Sequence, residues 1–205
     1  MSILILIRHG QSVWNAENRF TGWVDTPLSD KGEIEATQAG ERLAAEGITV
    51  DLAFTSTLVR AIETGEHVLA ALGQAGLAQE RAWQLNERFY GALTGRNKAQ
   101  TAEEFGADQV HVWRRSYDVP PPGGESLADT TARTLPYFRE HIVPATRTHD
   151  VVLVSAHGNS LRAIVKELDG LSNDEVTGLE IATGVPLVYE MADGRPRAKR
   201  ILDGD

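Results

Sequence analysis

Short uninterrupted apolar runs mark the strands that this chain is expected to form. Two of them, Ile3–Ile7 and Val151–Val154, are rich in β-branched residues and do not alternate with polar positions. Runs of this kind are typical of strands buried on both faces, as in a parallel sheet covered by helices. Weaker strands are predicted over Asp51–Ser56, over Pro186–Met191 and over Ala198–Leu202, the last two joined around Asp193-Gly194.

Helical patterns separate these strands. Ser29 can cap the first helix, and Gly47 can end it. Ser126 and Asp129 form a capping box for a later helix, which Pro136 should kink or shorten because proline has no N–H. The four predicted helices are Ser29–Glu46, Leu58–Leu72, Ser126–Val143 and Ser160–Leu168.

The alternation of strands and helices predicts the α/β class, as a three-layer α/β/α sandwich around a mostly parallel central sheet. The length of 205 residues and the hydrophobic content of 41% suit one compact domain over 1–205. The stretch 81–124 breaks the alternation and is rich in aromatic residues. We interpret it as a helical insertion that forms a lid or wall over a site, with a rigid, extended exit at Val119–Gly124.

The formal net charge of -9 makes the chain a poor partner for nucleic acid or for an anionic membrane surface. An anionic ligand must then be held by a local basic cluster. The chain has no cysteine, which excludes disulfides, thiolate catalysis and cysteine-based zinc sites. The first apolar run is too short for a signal peptide and no run reaches membrane-spanning length, so we expect a cytoplasmic protein.

A His-Gly pair follows each of the two strongest strand predictions. His9 and Gly10 come after the first apolar run, and His157 and Gly158 come after the second. One such histidine alone would more often be a hydrogen-bonded structural residue. Two of them at the carboxyl ends of neighbouring parallel strands would converge on one ligand site. Zinc is an alternative ligand, although it normally needs a third protein ligand.

Arginines near these elements indicate that the ligand is an anion. Guanidinium groups bind phosphate bidentately and stay charged at neutral pH. Any one of these arginines alone would be an ordinary surface residue, so the prediction depends on the whole set. The set comprises Arg8, Arg60, Arg88, Arg114, Arg115 and Arg162.

A histidine in a phosphate pocket suggests attack on phosphorus. Imidazole has an unperturbed pKa of about 6.5, so much of it is an unprotonated nucleophile near neutrality. We therefore predict that His9 carries a phosphoryl group and that His157 donates to one of its oxygens. Glu87 is the candidate proton partner for a substrate hydroxyl, a role that needs a raised pKa in a desolvated site. An ion pair between Glu87 and an arginine is an equal alternative.

The motif Arg8-His9-Gly10 resembles the signature of the histidine phosphatase superfamily. Further motifs, in the same order, are similar to those of the 2,3-bisphosphoglycerate-dependent phosphoglycerate mutases and cover nearly the whole chain. These motifs are Asn15, Arg19-Phe20-Thr21-Gly22-Trp23, Leu28-Ser29, Thr55-Ser56, Arg60-Ala61, Leu85-Asn86-Glu87-Arg88-Phe89-Tyr90-Gly91, Asn97-Lys98, Trp113-Arg114-Arg115, Gly124-Glu125-Ser126-Leu127, His157-Gly158-Asn159-Ser160-Leu161-Arg162 and Thr183-Gly184-Val185-Pro186.

The resemblance implies a mutase of glycolysis and gluconeogenesis that interconverts 3-phosphoglycerate and 2-phosphoglycerate. It implies a phosphohistidine at His9, a 2,3-bisphosphoglycerate intermediate that also serves as the phosphoryl primer, and no metal. Arg8, Arg60 and His157 would hold the transferring group. Glu87 would be the general acid–base. Phosphoglycerates would be the partners, without nucleic acid or membrane and with homo-oligomerisation left open. The implied substrate ligands are Ser12, Asn15, Thr21, Gly22, Arg88, Tyr90, Lys98, Arg114, Arg115, Gly158 and Asn159.

Three features depart from the longer members of this family. Gln11 stands where they often have glutamate, the segment Val119–Glu125 is shorter, and the chain ends at Asp205 without their C-terminal extension. A less covered phosphohistidine should lose more phosphoryl groups to water. A phosphatase on small phosphorylated metabolites is therefore the first alternative, and a non-catalytic phosphometabolite-binding protein is the second. The basic residues Lys98 and Arg114-Arg115 favour transfer, since they suit the far end of a small dianionic substrate.

Overall fold

The computed structural model describes residues 1–204 and is built around a six-stranded sheet. Its strands are β1 Ser2–Arg8, β2 Leu52–Thr55, β3 Gln79–Arg81, β4 Val151–Ala156, β5 Pro186–Ala192 and β6 Arg195–Ile201. Their spatial order is β3-β2-β4-β1-β5-β6. Strands β1 to β4 are parallel where they pair, whereas β5 is antiparallel to β1 and β6 is antiparallel to β5. The prediction of a mostly parallel central sheet is confirmed.

Alternate side chains of the central strands face opposite helical layers. In β1, Ile5 and Ile7 belong to the core under the helices Asp30–Ala45 and Val59–Ala71. Leu4 and Leu6 belong to the core under the helices Val143–Thr148 and Gly158–Asp169. Both sets are fully buried, which explains why this run has no polar alternation. The arrangement confirms the three-layer α/β/α sandwich. The α-helices are α1 Val13–Ala16, α2 Asp30–Ala45, α3 Val59–Ala71, α4 Lys98–Phe105, α5 Ala107–Arg115, α6 Leu127–Tyr137, α7 Val143–Thr148, α8 Gly158–Asp169 and α9 Asn173–Gly178.

The long helix predicted over Ser126–Val143 is interrupted just after Pro136. Regular α-helical hydrogen bonding ends at Tyr137, and a π-helical turn follows over Phe138–Ile142 before α7 begins. Pro136 has no N–H to donate to the preceding turn, so the regular pattern is disrupted here. The predicted cap is present, since the Ser126 hydroxyl accepts a hydrogen bond from the amide of Asp129 at 3.0 Å.

Four short elements, α1, β3, α7 and α9, were not predicted. Strand β3 reads Gln79-Glu80-Arg81 and has no apolar run, because it lies at the sheet edge and pairs with β2 through its backbone. Helix α8 starts at Gly158, two residues earlier than predicted. In α2, Ile34 is 57% exposed, and small residues such as Ala36 and Ala39 face the sheet instead.

The segment between β3 and α6 carries α4, α5 and two single 3₁₀ turns. Arg81, the first residue of the predicted insertion, is the last residue of β3. Phe20, Leu93 and Val110 form a small separate core with the partly buried Trp113, so the insertion packs on the loop that follows α1. Within residues 1–204, no helix is both long and apolar enough to cross a membrane.

Candidate active site

A polar cavity opens at the carboxyl ends of β1 and β4, between the sheet and the insertion. Such strand ends are the usual ligand position in α/β sheets. Thirteen of the sixteen predicted site residues line this cavity; His157, Ser12 and Arg88 do not. The thirteen are Arg8, His9, Asn15, Thr21, Gly22, Arg60, Glu87, Tyr90, Lys98, Arg114, Arg115, Gly158 and Asn159.

His9 lies at the floor of the cavity, and one of its ring nitrogens faces the Arg60 guanidinium. Its Nδ1 is 2.7 Å from the carbonyl oxygen of Gly10. A carbonyl only accepts, so Nδ1 carries the proton and Nε2 keeps its lone pair. Burial, reinforced by the charges of Arg60 and Arg8, holds the pKa of His9 well below its usual value. The side chain is therefore a neutral nucleophile at pH 7.

The loop that carries His9 is fixed by close backbone packing. A Cβ atom on Gly10 would lie 2.2 Å from the carbonyl oxygen of Gly32 in α2, so only glycine fits here. The amide of Gly10 also donates to Thr64 Oγ1 in α3 at 3.1 Å. His9 is thus held between two helices.

His157 lies behind His9, with the two ring centroids 4.9 Å apart. It is fully buried, and its Nε2 is hydrogen-bonded to the Ser56 hydroxyl at 2.7 Å. Within residues 1–204, its Nδ1 has no hydrogen-bond partner. Burial lowers its pKa well below the usual value, and the charge of Arg60 adds to this effect.

Arg60 connects the nucleophile to the loop that follows α1. Its Nε donates to His9 Nε2 at 3.3 Å, and its terminal nitrogens donate to the carbonyl oxygens of Val24 at 3.0 Å and Gly22 at 2.8 Å. Burial lowers the pKa of Arg60 to about 10, so the guanidinium remains charged at neutral pH. Arg8 contributes a second, partly buried cation, fixed by a 2.8 Å hydrogen bond to the Ile181 carbonyl oxygen.

Glu87 projects into the same cavity as a carboxylate. Its Oε1 accepts from the Arg88 amide at 2.8 Å, from the Asn159 amide at 3.2 Å and from Asn159 Nδ2 at 2.8 Å. Burial alone would raise the pKa of Glu87, but these bonds and the charges of Arg60 and Arg8 outweigh it, so the pKa is lowered. The raised pKa expected from the sequence is wrong for this arrangement.

The loop that presents Glu87 rests on one arginine of α6. Arg133 donates to the carbonyl oxygens of Gln84, Asn86 and Glu87 at 2.8 to 3.1 Å. Its guanidinium also forms a two-point contact with Glu125, with distances of 2.8 and 2.9 Å. The sequence did not predict Arg133 as a site residue, because nothing in the spacing relates α6 to a loop 46 residues earlier.

We expect Arg133→Lys to disturb the position of Glu87 more than the fold. Lysine keeps the charge but cannot reproduce the planar set of contacts. An ångström-scale shift of the carboxylate should lower kcat by about 10- to 100-fold, with a smaller change in KM. Arg139→Lys is the matched control, since Arg139 forms a similar two-point contact with Glu167 on the surface. Equal kinetics of the two variants would contradict the positioning role.

The far side of the cavity is basic. Lys98 lies in the first turn of α4, and Arg114 and Arg115 lie in the last turn of α5. Burial lowers the pKa of Lys98 from its usual value. Arg162 of α8 also lines the cavity, with its Nη1 donating to Asn159 Oδ1 at 3.1 Å. Two anionic groups of one small molecule could therefore be held at opposite ends.

Two of the predicted ligands, Ser12 and Arg88, do not line the cavity but contact residues that do. Ser12 is fully buried and caps α1 by accepting from the Asn15 amide at 3.2 Å. Arg88 is also buried; its Cζ lies 4.9 Å from the centre of the Tyr90 ring, and its Nη2 donates to the Arg114 carbonyl oxygen at 3.2 Å. The sequence missed Glu180 and Ile181, which line the cavity, and did not propose Arg19 or Phe20 as ligands, although both stand inside a quoted motif.

One group within residues 1–204 has the spacing of a metal site. Ring nitrogens of His9 and His157 and a carboxylate oxygen of Glu87 lie within 4.8 Å of one another. However, Arg60 donates to His9 Nε2, and three N–H groups already donate to Glu87 Oε1. Because the charges of Arg60 and Arg8 also act on His9 and Glu87, this chemistry favours an anion over a metal ion.

Comparison with known proteins agrees with this geometry. The profile of the histidine phosphatase superfamily (branch 1) matches residues 4–204. The chain belongs to this superfamily. Among its curated members, the 2,3-bisphosphoglycerate-dependent phosphoglycerate mutase of Methylobacterium sp. strain 4-46 is 54% identical, over 99% of this chain and 98% of the relative. The enzyme of the same name from Staphylococcus carnosus is 50% identical, over 94% and 96%. The resemblance stated from the sequence is confirmed.

Solved structures of the superfamily share the fold. A mycobacterial glucosyl-3-phosphoglycerate phosphatase superposes with a TM-score of 0.82 at 26% identity, covering 98% of this chain and 97% of that one. A phosphoglycerate mutase from Bacillus anthracis superposes with a TM-score of 0.80 at 25% identity, covering 98% and 93%. Superfamily members named as phosphatases and as mutases thus resemble the chain equally in backbone structure, and the choice between them depends on the site.

Proposed function

We propose that this chain is a 2,3-bisphosphoglycerate-dependent phosphoglycerate mutase acting in glycolysis and gluconeogenesis, in the cytoplasm. The names of the curated relatives at 50 to 54% identity support it. The observation that carries the proposal is the pairing of two anion sites in one cavity. One surrounds His9 with Arg8 and Arg60, and the other is formed on the insertion by Lys98 and its neighbouring arginines.

In the proposed reaction, the 2-hydroxyl oxygen of 3-phosphoglycerate attacks the phosphorus carried on His9. The Nε2–P bond breaks, and Glu87 takes the hydroxyl proton as the 2,3-bisphosphoglycerate forms. The bisphosphate then reorients in the cavity, and Nε2 attacks its other phosphorus. As that P–O bond breaks, Glu87 returns the proton to the departing oxygen, which gives 2-phosphoglycerate and restores the phosphohistidine.

The lowered pKa of Glu87 is compatible with both halves of this cycle. A carboxylate ionised at neutral pH is ready to accept the hydroxyl proton. It then holds that same proton until the second transfer, so it does not need to take one from water. The phosphoryl charge close to Arg8 and Arg60 also offsets the cations that lower the pKa of Glu87.

The proposed roles of the other site residues follow from the charge of each side chain and from its position in the cavity. Arg8, Arg60 and His157 hold the transferring phosphoryl group, whose equatorial oxygens need positive charge and donors. The other cavity residues bind the glycerate carboxylate and the second phosphate. We expect 2,3-bisphosphoglycerate as the primer and no metal requirement. The proposed ligands are Asn15, Thr21, Gly22, Tyr90, Lys98, Arg114, Arg115, Gly158 and Asn159, with Ser12 and Arg88 supporting them.

A phosphatase on small phosphorylated metabolites is the second candidate. The resemblance to the mycobacterial phosphatase supports it, because water in place of the substrate hydroxyl would release phosphate from the same phosphohistidine. Hydrolysis needs only the His9 end of the cavity, so the insertion arginines favour transfer.

A side-by-side assay tests the proposal. Isomerisation of 3-phosphoglycerate should depend on added 2,3-bisphosphoglycerate, should exceed phosphate release and should survive a strong chelator. Phosphate release faster than isomerisation would favour the phosphatase. Loss of activity in the chelator that added metal restores would contradict the metal-independent chemistry.

We expect the double variant Arg114→Ala and Arg115→Ala to impair isomerisation much more than hydrolysis of p-nitrophenyl phosphate. That ester has no second anionic group, so it should not need the far site. Loss of two charge-assisted contacts should reduce kcat/KM for 3-phosphoglycerate by about 100-fold or more. Equal losses in the two reactions would count against a second anion site on α5.

A further inference from the structure

Glu180 brings a carboxylate into the otherwise basic far side of the cavity. It lines the same cavity as His9, on the segment between α9 and β5. Its Oε1 lies 2.5 Å from Arg115 Nη2, and its Oε2 lies 3.7 Å from Arg162 Nη2. The carboxylate therefore bridges the insertion and the core of the fold, at two of the guanidinium groups that line the far side of the cavity.

The backbone on both sides of Glu180 is held by arginines. Arg162 Nε donates to the Leu179 carbonyl oxygen at 2.8 Å, and Arg8 Nη1 donates to the Ile181 carbonyl oxygen at 2.8 Å. The side chain itself is 66% exposed. Glu180 can therefore rotate away from the arginines into solvent without any movement of the segment that carries it.

We propose that Glu180 is an exchangeable counter-ion for the distal anion site. The carboxylate or second phosphate of a substrate competes with it for Arg115 and Arg162, and displaces it on binding. This inference rests on the proposed function, since it assigns the second anionic group of that substrate to this end of the cavity.

Such an exchange weakens binding of ligands with two anionic groups and speeds their departure. A ligand with one phosphate binds beside His9 and leaves the Glu180 contacts intact, so it has no exchange to make. A ligand that reaches Arg115 must first break an existing ion pair, and Glu180 returns as the ligand leaves. The exchange thereby keeps a bisphosphate intermediate from binding so tightly that it cannot reorient in the cavity.

The test compares ligand binding by the wild type and by Glu180→Gln in calorimetry at fixed low ionic strength. Glutamine keeps the size of the side chain and removes its charge. We expect about two- to fivefold tighter binding of 3-phosphoglycerate, the range for a partly exposed ion pair, and unchanged binding of inorganic phosphate. Glu167→Gln is the matched control, because it removes the same charge and an ion pair with Arg139 away from the cavity.

Other outcomes would overturn the proposal. Equal tightening for phosphate would indicate a general charge effect, and weaker binding of 3-phosphoglycerate would mean that Glu180 orders the arginines for the substrate. The increase in affinity for 3-phosphoglycerate that Glu180→Gln causes should also be smaller when Arg115 is replaced by alanine. If the wild type fails to isomerise 3-phosphoglycerate but these affinities follow the expected pattern, the proposed reaction falls and the counter-ion role stands.

Discussion

Replacement of His9 by glutamine is expected to abolish both isomerisation and phosphate release. Glutamine has a similar length, and its amide can still bond the Gly10 carbonyl oxygen, but it cannot form a covalent bond to phosphorus. Loss of the nucleophile should lower kcat by about 10⁴-fold or more. His141→Gln, at an exposed position on the π-helical turn, is the matched control and should retain wild-type rates.

Labelling gives the direct measurement for this variant. Wild-type protein incubated with labelled 2,3-bisphosphoglycerate should acquire acid-labile label at His9, and His9→Gln should acquire none. His157 lies behind His9 with a 4.9 Å ring separation, so it is the obvious competing acceptor. Label on His157, or full activity without His9, would contradict the assignment of the nucleophile.

Glu87→Gln is expected to have the second largest effect, and a selective one. Priming by 2,3-bisphosphoglycerate needs a proton for the departing alkoxide, so the rate of labelling should fall by about 10²- to 10⁴-fold. Priming by p-nitrophenyl phosphate should change little, because nitrophenolate leaves without a proton. Glu66→Gln, exposed on α3, serves as the control. Equal losses with both phosphoryl donors would show that Glu87 binds substrate and does not move protons.

The same argument fixes the sign of the pH dependence. The pKa of Glu87 is lowered, so the carboxylate is mostly ionised at neutral pH and priming by 2,3-bisphosphoglycerate should speed up as the pH falls. His9 does not oppose this trend until well below its ordinary pKa, because burial and the neighbouring arginines keep it neutral. Stopped-flow labelling between about pH 8 and pH 6 would measure it, with a limit of about tenfold per pH unit.

The parts of the fold that the sequence predicts well are those that depend on patterns among neighbouring residues. The apolar runs of β1 and β4 are continuous because both faces of each strand are buried, and Ser29 caps α2 by accepting from the Gly32 amide at 3.2 Å. The C-terminal hairpin turns at Asp193 and Gly194, both with positive φ, as a tight two-residue turn requires. Each of these features is written within a few neighbouring residues.

Features that depend on contacts between residues far apart in the sequence cannot be predicted from such local patterns. Strand β3 exists because β2 offers a backbone edge. The pKa of Glu87 is lowered by the neighbouring Arg88 amide, but also by Asn159 and two arginines that come from other elements. Glu180 has no distinctive neighbours in the sequence, and only the fold brings it to Arg115. Motifs predicted most of the residues that line the cavity, whereas the ionisation and the support of those side chains could not be predicted.

The position of β1 in the sheet has a consequence for the way the chain is made. This first strand pairs with β4 on one side and β5 on the other, through contacts such as Ile5 with Leu153 and with Val188. A ribosome delivers both of those partners long after β1, so the edges of β1 stay unpaired during that time and can pair with other chains. His9 at the end of β1 is thus synthesised long before β4 and β5, and its surroundings are assembled only once those strands have been made.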